Sequence, residues 1–471
     1  MEFPVEGRAS AKKFLEYFLS KNSFPASLED AVPVQPPSTN GRGVRETEVE
    51  AECMNMCRNL LAGCSCPGLL NYNITCAAIQ ELMGGSLEEY RLKKESPDEE
   101  QETEKMYSEG LLAVATVRAA HTVCQRWAES LGPLTCPRSR PDFSAFCMKN
   151  KRRKMEDRHS ICLDINTLYG IKGFAHDQTF FGVYDGHVGP EAADYSSRHV
   201  HHNIIRHPSF ITDPVLAIKE GIKVTDERFC STGFKSGSTA VVALIRGPML
   251  YVGWVGDSQA YLVRKGVAVQ IMEPHKPDRE DEQQRIEAAG GLVINIGVWR
   301  VNGNLSVSRA IGDPKDKKYV IGDAEVSEIE LDGTEDYLVV ACDGIWDVVN
   351  EEELTSHLEE YFIKGGTKSD AAKSLVQFAY SEGSGDNLTA IIVFFDSFKI
   401  PVKPENVSGT ETGSAGTETG SSKTETGSAK TETSSAGTET DSAGTETDSA
   451  GNGNGIKTSS AGTDSTSSDN N

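Results

Sequence analysis

The sequence predicts an α+β protein in which antiparallel β-sheets are covered by helices. Short apolar segments of strand length recur through the middle of the chain, and turn signals such as Lys265-Gly266 separate them. Stretches with helical periodicity arrive in pairs between these strands, for example 190–205 followed by 213–229. Since a parallel fold would alternate single strands with single helices, this order favours antiparallel sheets with helices on their outer faces.

In this middle region, short apolar runs predict the strands, and longer stretches with helical periodicity predict the helices. The predicted strands are 180–184, 239–245, 250–255, 260–263, 337–342 and 388–395. The predicted helices are 190–205, 213–229, 279–289, 351–362 and 369–381. A further strand is expected directly after Asp157.

Composition divides the chain into three regions, residues 1–141, 142–397 and 398–471. The first is predicted to be a helical accessory region that packs on the next region and contains an acidic linker. The last repeats a seven-residue unit from Gly409 to Gly444 without a large apolar side chain, so it cannot form a coiled-coil seam. It is predicted to be a disordered acidic tail, and a docking or phosphorylation tail is the alternative.

Charge and cysteine usage exclude several classes of protein. A formal net charge of -23 disfavours binding to nucleic acid or to an anionic membrane surface. The longest apolar runs are too short to cross a bilayer, and no apolar signal-peptide segment follows the first residues. Eleven cysteines without a dense framework indicate reduced thiols. We therefore expect an intracellular protein, cytoplasmic and also nuclear.

Five cysteines between Cys53 and Cys76 raise the alternative of a zinc site. The segment lacks a pair of C-x-x-C units and contains no histidine, so free thiols are the better interpretation.

Acidic residues stand at the ends of the predicted strands. They are Glu156 and Asp157 before a strand, Asp185, Asp257 and Asp343 after strands, Asp347 four residues further on, and Asp386 before the last strand. Carboxylates gathered at one sheet edge repel one another unless cations neutralise them. Oxygen ligands suit Mg²⁺ or Mn²⁺, and a glycine such as Gly186 lets its carbonyl approach an ion. A single Asp-Gly pair is more often an ordinary turn, so the joint occurrence carries this interpretation.

Seven segments, taken in order, resemble the type 2C, metal-dependent protein phosphatase family. They are 152–157 (Arg-Arg-Lys-Met-Glu-Asp), 181–187 (Phe-Gly-Val-Tyr-Asp-Gly-His), 236–240 (Ser-Gly-Ser-Thr-Ala), 256–258 (Gly-Asp-Ser), 301–313 (Val-Asn-Gly-Asn-Leu-Ser-Val-Ser-Arg-Ala-Ile-Gly-Asp), 341–347 (Ala-Cys-Asp-Gly-Ile-Trp-Asp) and 385–387 (Gly-Asp-Asn). Met-Glu-Pro-His at 272–275 and Val-Trp-Arg-Val at 298–301 look most like the calmodulin-kinase phosphatase branch. The resemblance implies a four-layer αββα sandwich of two antiparallel sheets flanked by helices.

The resemblance also implies two bound Mg²⁺ or Mn²⁺ ions and a weaker third. The implied metal ligands are Asp185, Gly186, Asp343, Asp386, Glu156 and Asp157, with Asp257 and Asp347 at the third ion. Asp185 would bridge the two metals, the Gly186 carbonyl would bind one of them, and Asp343 and Asp386 would bind the other. Glu156 would act directly or through water.

The implied reaction is hydrolysis of phosphoserine and phosphothreonine in proteins by a water that lies between the metals. Besides Asp185, the implied catalytic residues are Arg152, which binds the phosphate, and His187, which protonates the leaving oxygen. For the basic segment 149–154 a nuclear-import signal or a solvated basic surface is the alternative. The expected partners are phosphoproteins, protein kinases among them, with no nucleic acid and no membrane.

Val188 departs from the family, which usually has glycine at this position after the histidine. A β-branched residue resists positive φ, so a turn that requires it would displace His187 and lower activity. Two other functions stay open, of which Val188 supports the first. One is a catalytically weak, phosphatase-like adaptor, and the other is a scaffold that acts through its N-terminal helices and tail.

Overall fold

The computed structural model describes residues 5–92, 104–135, 137 and 140–401. The helices are α1 (Val5–Lys21), α2 (Val49–Gly63), α3 (Gly68–Gly84), α4 (Glu109–Glu129), α5 (Ile165–Leu168), α6 (Glu191–Arg206), α7 (Pro214–Cys230), α8 (Glu280–Ala288), α9 (Asp343–Trp346), α10 (Glu351–Ile363) and α11 (Ala371–Ser381). Nearly all of the predicted acidic linker and the repeat tail lie outside the described residues.

The strands are short, and every one of them pairs with its neighbours in an antiparallel ladder. They are β1 (Val44–Arg45), β2 (Met106–Tyr107), β3 (Asp142–Met148), β4 (Arg158–Cys162), β5 (Gln178–Tyr184), β6 (Gly186–His187), β7 (Gly237–Ser238), β8 (Ala240–Arg246), β9 (Met249–Val255), β10 (Gln259–Arg264), β11 (Val267–Gln270), β12 (Val293–Ile296), β13 (Val298–Val301), β14 (Ile311–Gly312), β15 (Glu325–Glu330), β16 (Glu335–Ala341) and β17 (Leu388–Phe394).

Two five-stranded sheets form the centre of the fold. The first has the strand order β11-β10-β16-β17-β3, and the second has the order β15-β9-β8-β5-β4. The successive residues Phe180 and Phe181 of β5 belong to different apolar clusters, because side chains alternate between the faces of a strand. The cluster of Phe181 joins the two sheets to α10 and α11, and the cluster of Phe180 joins the second sheet to α6 and α7. This arrangement confirms the predicted four-layer αββα sandwich.

Helix starts follow from capping residues that the sequence supplies. Asp213 precedes α7, and its carboxylate accepts a hydrogen bond from the Leu216 amide at 2.9 Å, while Pro214 occupies the first helical position. Asn350 precedes α10, and Glu353 completes a capping box with it. These local signals explain why both predicted starts lie within one residue of the observed ones.

The N-terminal helices share a continuous core with the second sheet and its helices. Phe18 of α1, Leu61 of α2 and Cys124 of α4 are fully buried in the same cluster as Phe180 and Ile204. Helix α3 at Gly68–Gly84 was not among the helices assigned from the sequence. No helix in the described part of the chain is long and apolar enough to span a bilayer.

Candidate active site

The predicted strand-end carboxylates come to one end of the sandwich. In the second sheet, Arg158 pairs with Tyr184, so Glu156 and Asp157 lie beside Asp185. In the first sheet, Ala341 pairs with Ala390, which brings the residues after β16 beside those before β17. Strand register, set by the buried apolar pattern, therefore positions acidic residues from both sheets before any ligand binds.

The glycines of two Asp-Gly pairs allow segments to approach closely. A Cβ atom on Gly186 would lie 2.5 Å from the Glu156 carbonyl oxygen, and one on Gly344 would lie 2.1 Å from the Asn387 carbonyl oxygen. Both distances are too short for any other residue. These glycines therefore bring the segments that carry the carboxylates into contact, a role that an ordinary turn would not require.

These residues line an open cavity of about 630 Å³. Its predicted residues are Arg152, Glu156, Asp185, Gly186, His187, Asp257, Asp343 and Asp386. Another part of its wall is formed by Arg300 of β13 and by Leu305, which follows the β12–β13 hairpin. The cavity is large enough for a phosphorylated side chain.

Two of the predicted metal ligands lie apart from this cavity wall. Asp157 is 3% exposed and its carboxylate accepts a hydrogen bond from the Thr389 hydroxyl at 2.7 Å, which leaves its other oxygen without a partner among the described residues. Asp347, one residue beyond α9, is exposed. Asp157 is therefore buried beneath the residues that line the cavity, and Asp347 is exposed to solvent and does not line it.

Burial and mutual repulsion raise the pKa values of the clustered carboxyls. Burial raises the pKa of Asp157 to about 6, and the charges of Asp343 and Asp386 act in the same direction. Burial, followed by the neighbouring Asp343, holds the pKa of Asp185 well above its usual range, and the two carboxyl groups share a hydrogen bond. Two carboxyls in such contact need either a shared proton or a cation between them.

The donor set fits a hard divalent cation, since mutually repelling carboxylates line the cavity and the buried Asp157 behind them keeps one oxygen without a hydrogen bond among the described residues. As their side chains are placed, no three His, Cys, Asp or Glu residues of the described chain are close enough together to hold one ion. The guanidinium of Arg152 forms an ion pair with Asp386 and so offsets part of its negative charge. Cation binding therefore requires small side-chain movements of these residues.

Asn387 organises the loop that carries Arg152 and Glu156. Its side-chain oxygen accepts a hydrogen bond from the Glu156 amide at 2.7 Å, and its side-chain nitrogen donates to the carbonyls of Lys149 and Lys154 at 2.9 and 3.0 Å. The sequence predicted only the adjacent Asp386 as a site residue. The Gly-Asp-Asn motif was the signal that could have identified Asn387.

His187 is held by an acidic residue that the sequence analysis did not identify as functional. Its Nε2 atom lies 2.7 Å from a carboxylate oxygen of Asp313, which is 4% exposed. A Cβ atom on Gly237 would lie 2.0 Å from that carboxylate and 2.3 Å from His187 Nε2, so only glycine leaves room for the pair. With Nε2 engaged, Nδ1 is the ring nitrogen left for a substrate.

Val188 adopts the backbone conformation that its side chain disfavours. Its φ angle is +61°, in the left-handed region, and its side chain is 72% exposed. The turn after His187 therefore does require positive φ, and nothing packs against the valine to offset the strain.

Comparisons with known proteins agree with this geometry. The protein phosphatase 2C family profile matches residues 141–388. Protein phosphatase 1E of Homo sapiens is 42% identical over 378 residues, which cover 77% of this chain and 48% of that protein. Protein phosphatase 1F of Mus musculus is 40% identical over 399 residues, which cover 81% of this chain and 86% of that protein. The chain thus spans about half the length of the 1E relative.

A solved structure described as a C. elegans sex-determining protein matches 81% of this chain and 94% of its own, with a TM-score of 0.61 and 22% identity, which supports the fold alone. The relatives confirm the predicted family and the branch that the motifs indicated. The chain belongs to the protein phosphatase 2C family.

Proposed function

We propose that this protein hydrolyses phosphoserine and phosphothreonine in protein substrates. The observation that carries the proposal is the cavity in which Asp185, Asp343 and Asp386 stand with Arg152 and His187. Carboxylates for cations, a guanidinium for phosphate and an imidazole for proton transfer are the groups that phosphate-ester hydrolysis needs.

Arg152 is the residue that binds the phosphoryl group. Its side chain is 59% exposed at the cavity, and its ion pair with Asp386 holds the guanidinium at the site in the absence of substrate. A guanidinium offers a planar pair of N–H donors to two phosphate oxygens. Cation binding at Asp386 would free Arg152 for this contact.

His187 supplies the proton to the leaving oxygen of the serine or threonine. The reaction forms a bond between phosphorus and a water oxygen and breaks the bond to the side-chain oxygen, which leaves with a proton. Nε2 of His187 lies 2.7 Å from the Asp313 carboxylate, so Nδ1 is the ring nitrogen that would transfer the proton. Asp313 acts here as a positioning residue, because its carboxylate fixes the orientation of the ring.

Members of the protein phosphatase 2C family depend on Mg²⁺ or Mn²⁺. We infer two such ions in this chain, held by Asp185, the Gly186 carbonyl, Asp343 and Asp386, with Glu156 close by and a weaker third ion near Asp257. When bound, the cations would neutralise phosphoryl oxygens and make a water acidic enough to act as the nucleophile.

An exposed apolar hairpin beside the cavity supports a protein substrate. Leu292, Ile296 and Val298 are 61%, 60% and 50% exposed on or beside β12–β13, and Trp299 is 40% exposed. Contiguous exposed apolar side chains mark surfaces that contact other proteins. Protein kinases are the substrate class we infer from the resemblance to the calmodulin-kinase phosphatase branch, and a cytoplasmic and nuclear location stays a prediction.

Phosphate release from a phosphothreonine peptide, measured with Mn²⁺ and with EDTA, tests the proposal. We expect activity in Mn²⁺ only. Asp185→Ala should lose at least about 100-fold in activity, since loss of a residue that binds the metal directly has a larger effect than loss of a residue that only supports such a ligand. Equal activity in EDTA would refute the mechanism. Binding of the phosphopeptide without any turnover would instead favour the adaptor, the function that the strained Val188 supports.

A further inference from the structure

A second cavity, here called the seam cavity, lies between the N-terminal helices and the catalytic sandwich. It has a volume of about 350 Å³. Asn55 and Arg58 of α2 and Tyr72 of α3 form one wall, and His159 of β4 and His201 of α6 form the opposite wall. Volumes of this size are typical of small-ligand sites, which occur preferentially where domains meet.

The seam cavity differs in charge from the rest of the protein. The described residues that line it include one arginine, three histidines and three asparagines, but no aspartate or glutamate. This composition stands out in a chain that has 70 acidic and 47 basic residues. The active-site cavity, in contrast, is lined by five carboxylates. The seam cavity therefore offers hydrogen-bond donors and positive charge to a ligand.

Arg58 provides the positive charge. Its guanidinium donates to the Ile161 carbonyl at 3.0 Å and lies 5.2 Å from the ring centre of Tyr72. It forms no ion pair with any carboxylate of the described residues, so most of its donors are free for a ligand. A half-buried guanidinium without a carboxylate partner is the usual anchor of an anion site.

Buried polar groups around Arg58 also lack partners. His201 and Tyr169 line the cavity and are 8% and 4% exposed, and the Tyr169 hydroxyl has no hydrogen bond among the described residues. Burial and the nearby Arg58 charge lower the pKa of His201 to about 3. A bound anion would relieve both effects, because it would accept hydrogen bonds and offset the positive charge.

We propose that the seam cavity binds a small anion that carries a phosphoryl group, anchored by Arg58 with His201 and Asn55 as hydrogen-bond partners. The anion would connect α2 to β4 and α6. Because β4 directly follows Asp157 and α6 begins four residues after His187, the ligand would join the N-terminal helices to the two segments that lead into the active site. This site does not depend on the proposed hydrolysis.

Thermal unfolding of the full chain in EDTA, with inorganic phosphate added against NaCl of equal ionic strength, tests the proposal. Without cations the clustered carboxylates of the active site repel phosphate, so the remaining response reports the seam cavity. We expect phosphate near tenfold above its dissociation constant to raise the unfolding midpoint by about 1–2 °C in the wild type. A parallel arm with free phosphoserine shows whether the site takes phosphate alone or a phosphorylated residue.

Two variants remove the site in different ways. Arg58→Gln removes the charge, and Asn55→Asp adds a carboxylate one helical turn from Arg58 without changing side-chain size. We expect both to abolish the shift, whereas the remote controls Arg126→Gln and Gln284→Glu, which make the same charge changes, keep it. General stabilisation by phosphate affects all five proteins alike. An equal shift in all of them, or none in the wild type, would overturn the proposal.

Discussion

The carboxylates of the active site and those at the contact between α2 and α6 meet opposite surroundings. At the active site, Asp157 and Asp343 stand among other acids, and the pKa of Asp157 rises to about 6. At the contact with α2, Glu52 is equally buried, yet the charges of Arg198 and His199 outweigh the effect of burial and lower its pKa to about 2. Burial alone therefore does not decide the protonation of an acid in this protein, and the charge of its neighbours does.

The second set of carboxylates forms a regular interface. Four side chains at helical spacing along α6 contact three glutamates at or just before the start of α2. Tyr195 donates to Glu48 at 2.6 Å, and His199 lies 2.8 Å from Glu52. His202 and Arg206 both contact Glu50. These acids are paired and contribute to stability. Asp157, Asp185 and Asp343 of the active site form no ion pair with a basic residue of the described chain, which lowers stability but leaves their carboxylates available to cations.

The largest effect is expected when an unpaired acid is removed. Asp343→Asn should lower the kcat/KM for a phosphothreonine peptide at least about 100-fold, because a cation ligand is lost. In EDTA the same variant should unfold at a higher temperature than the wild type, since it relieves repulsion with Asp347 and Asp386. Differential scanning calorimetry with and without Mn²⁺ checks both parts. A variant less stable than the wild type in EDTA would mean that repulsion is not the dominant effect.

Removal of an acid that has basic partners should instead lower the stability of the protein. Glu52→Gln takes the carboxylate partner away from the buried His199 and leaves Arg198 paired with Asp194 alone among the described residues, so the free energy of unfolding in urea should fall by about 3 kcal/mol. The matched variant Glu50→Gln, whose pair with Arg206 is half exposed, should lose less than about 1 kcal/mol.

The lowered pKa of Glu52 predicts how the stability of the protein depends on acidic pH. The folded-state pKa of Glu52 is lowered from 4.5 to about 2, so its contribution is present above pH 4.5 and is lost as the pH falls from 4.5 toward 2. Over this window the wild type should lose stability more steeply than Glu52→Gln. Parallel curves for the two proteins would contradict the assignment.

A smaller and more selective effect is expected at Asp313, which is paired and yet functional. Asp313→Asn should lower turnover of the phosphothreonine peptide about 10–100-fold, but turnover of p-nitrophenyl phosphate less than about 3-fold, since nitrophenolate leaves without a proton. The same loss for both substrates would indicate only structural damage. Combined with His187→Ala, the Asp313 substitution should add no further loss, because the two residues act as a unit.

The smallest effect is expected at Val188. Glycine relieves the left-handed strain but frees the unfolded chain, so Val188→Gly should raise the free energy of unfolding by about 0.5–1 kcal/mol. No packing is lost, because the valine is 72% exposed. If strain displaces His187, turnover of the phosphothreonine peptide should rise as well. A destabilised Val188→Gly variant would show that the turn is not strained.

Local patterns predicted the fold class and most of the site. Strand-end acids such as Asp185 and Asp386 are visible because a charged residue stands directly after one buried strand and shortly before another. Helix α3 was missed because nine of its residues, including Leu70, Tyr72 and Ile79, are buried around its circumference and leave no apolar stripe.

Long-range pairings could not be predicted from local patterns. Asp313 and His187 are 126 residues apart in sequence, and only the fold brings their side chains together. The same holds for Arg152, since nothing local to it indicates an ion pair with Asp386. The environment of Asp157 also depends on Thr389 of β17, which is 232 residues away in the sequence but donates a hydrogen bond to the Asp157 carboxylate.

The paired face of α6 has a practical consequence for truncated enzymes. A protein that starts at the catalytic sandwich would present Arg198 and His199 to water beside an apolar surface that α2 normally covers. Such a fragment would have lost the partners of a helix that begins four residues after the proposed proton donor. Its rate constants would describe a damaged enzyme, and any apparent inhibition or activation by the N-terminal helices would need comparison with point variants in the intact chain.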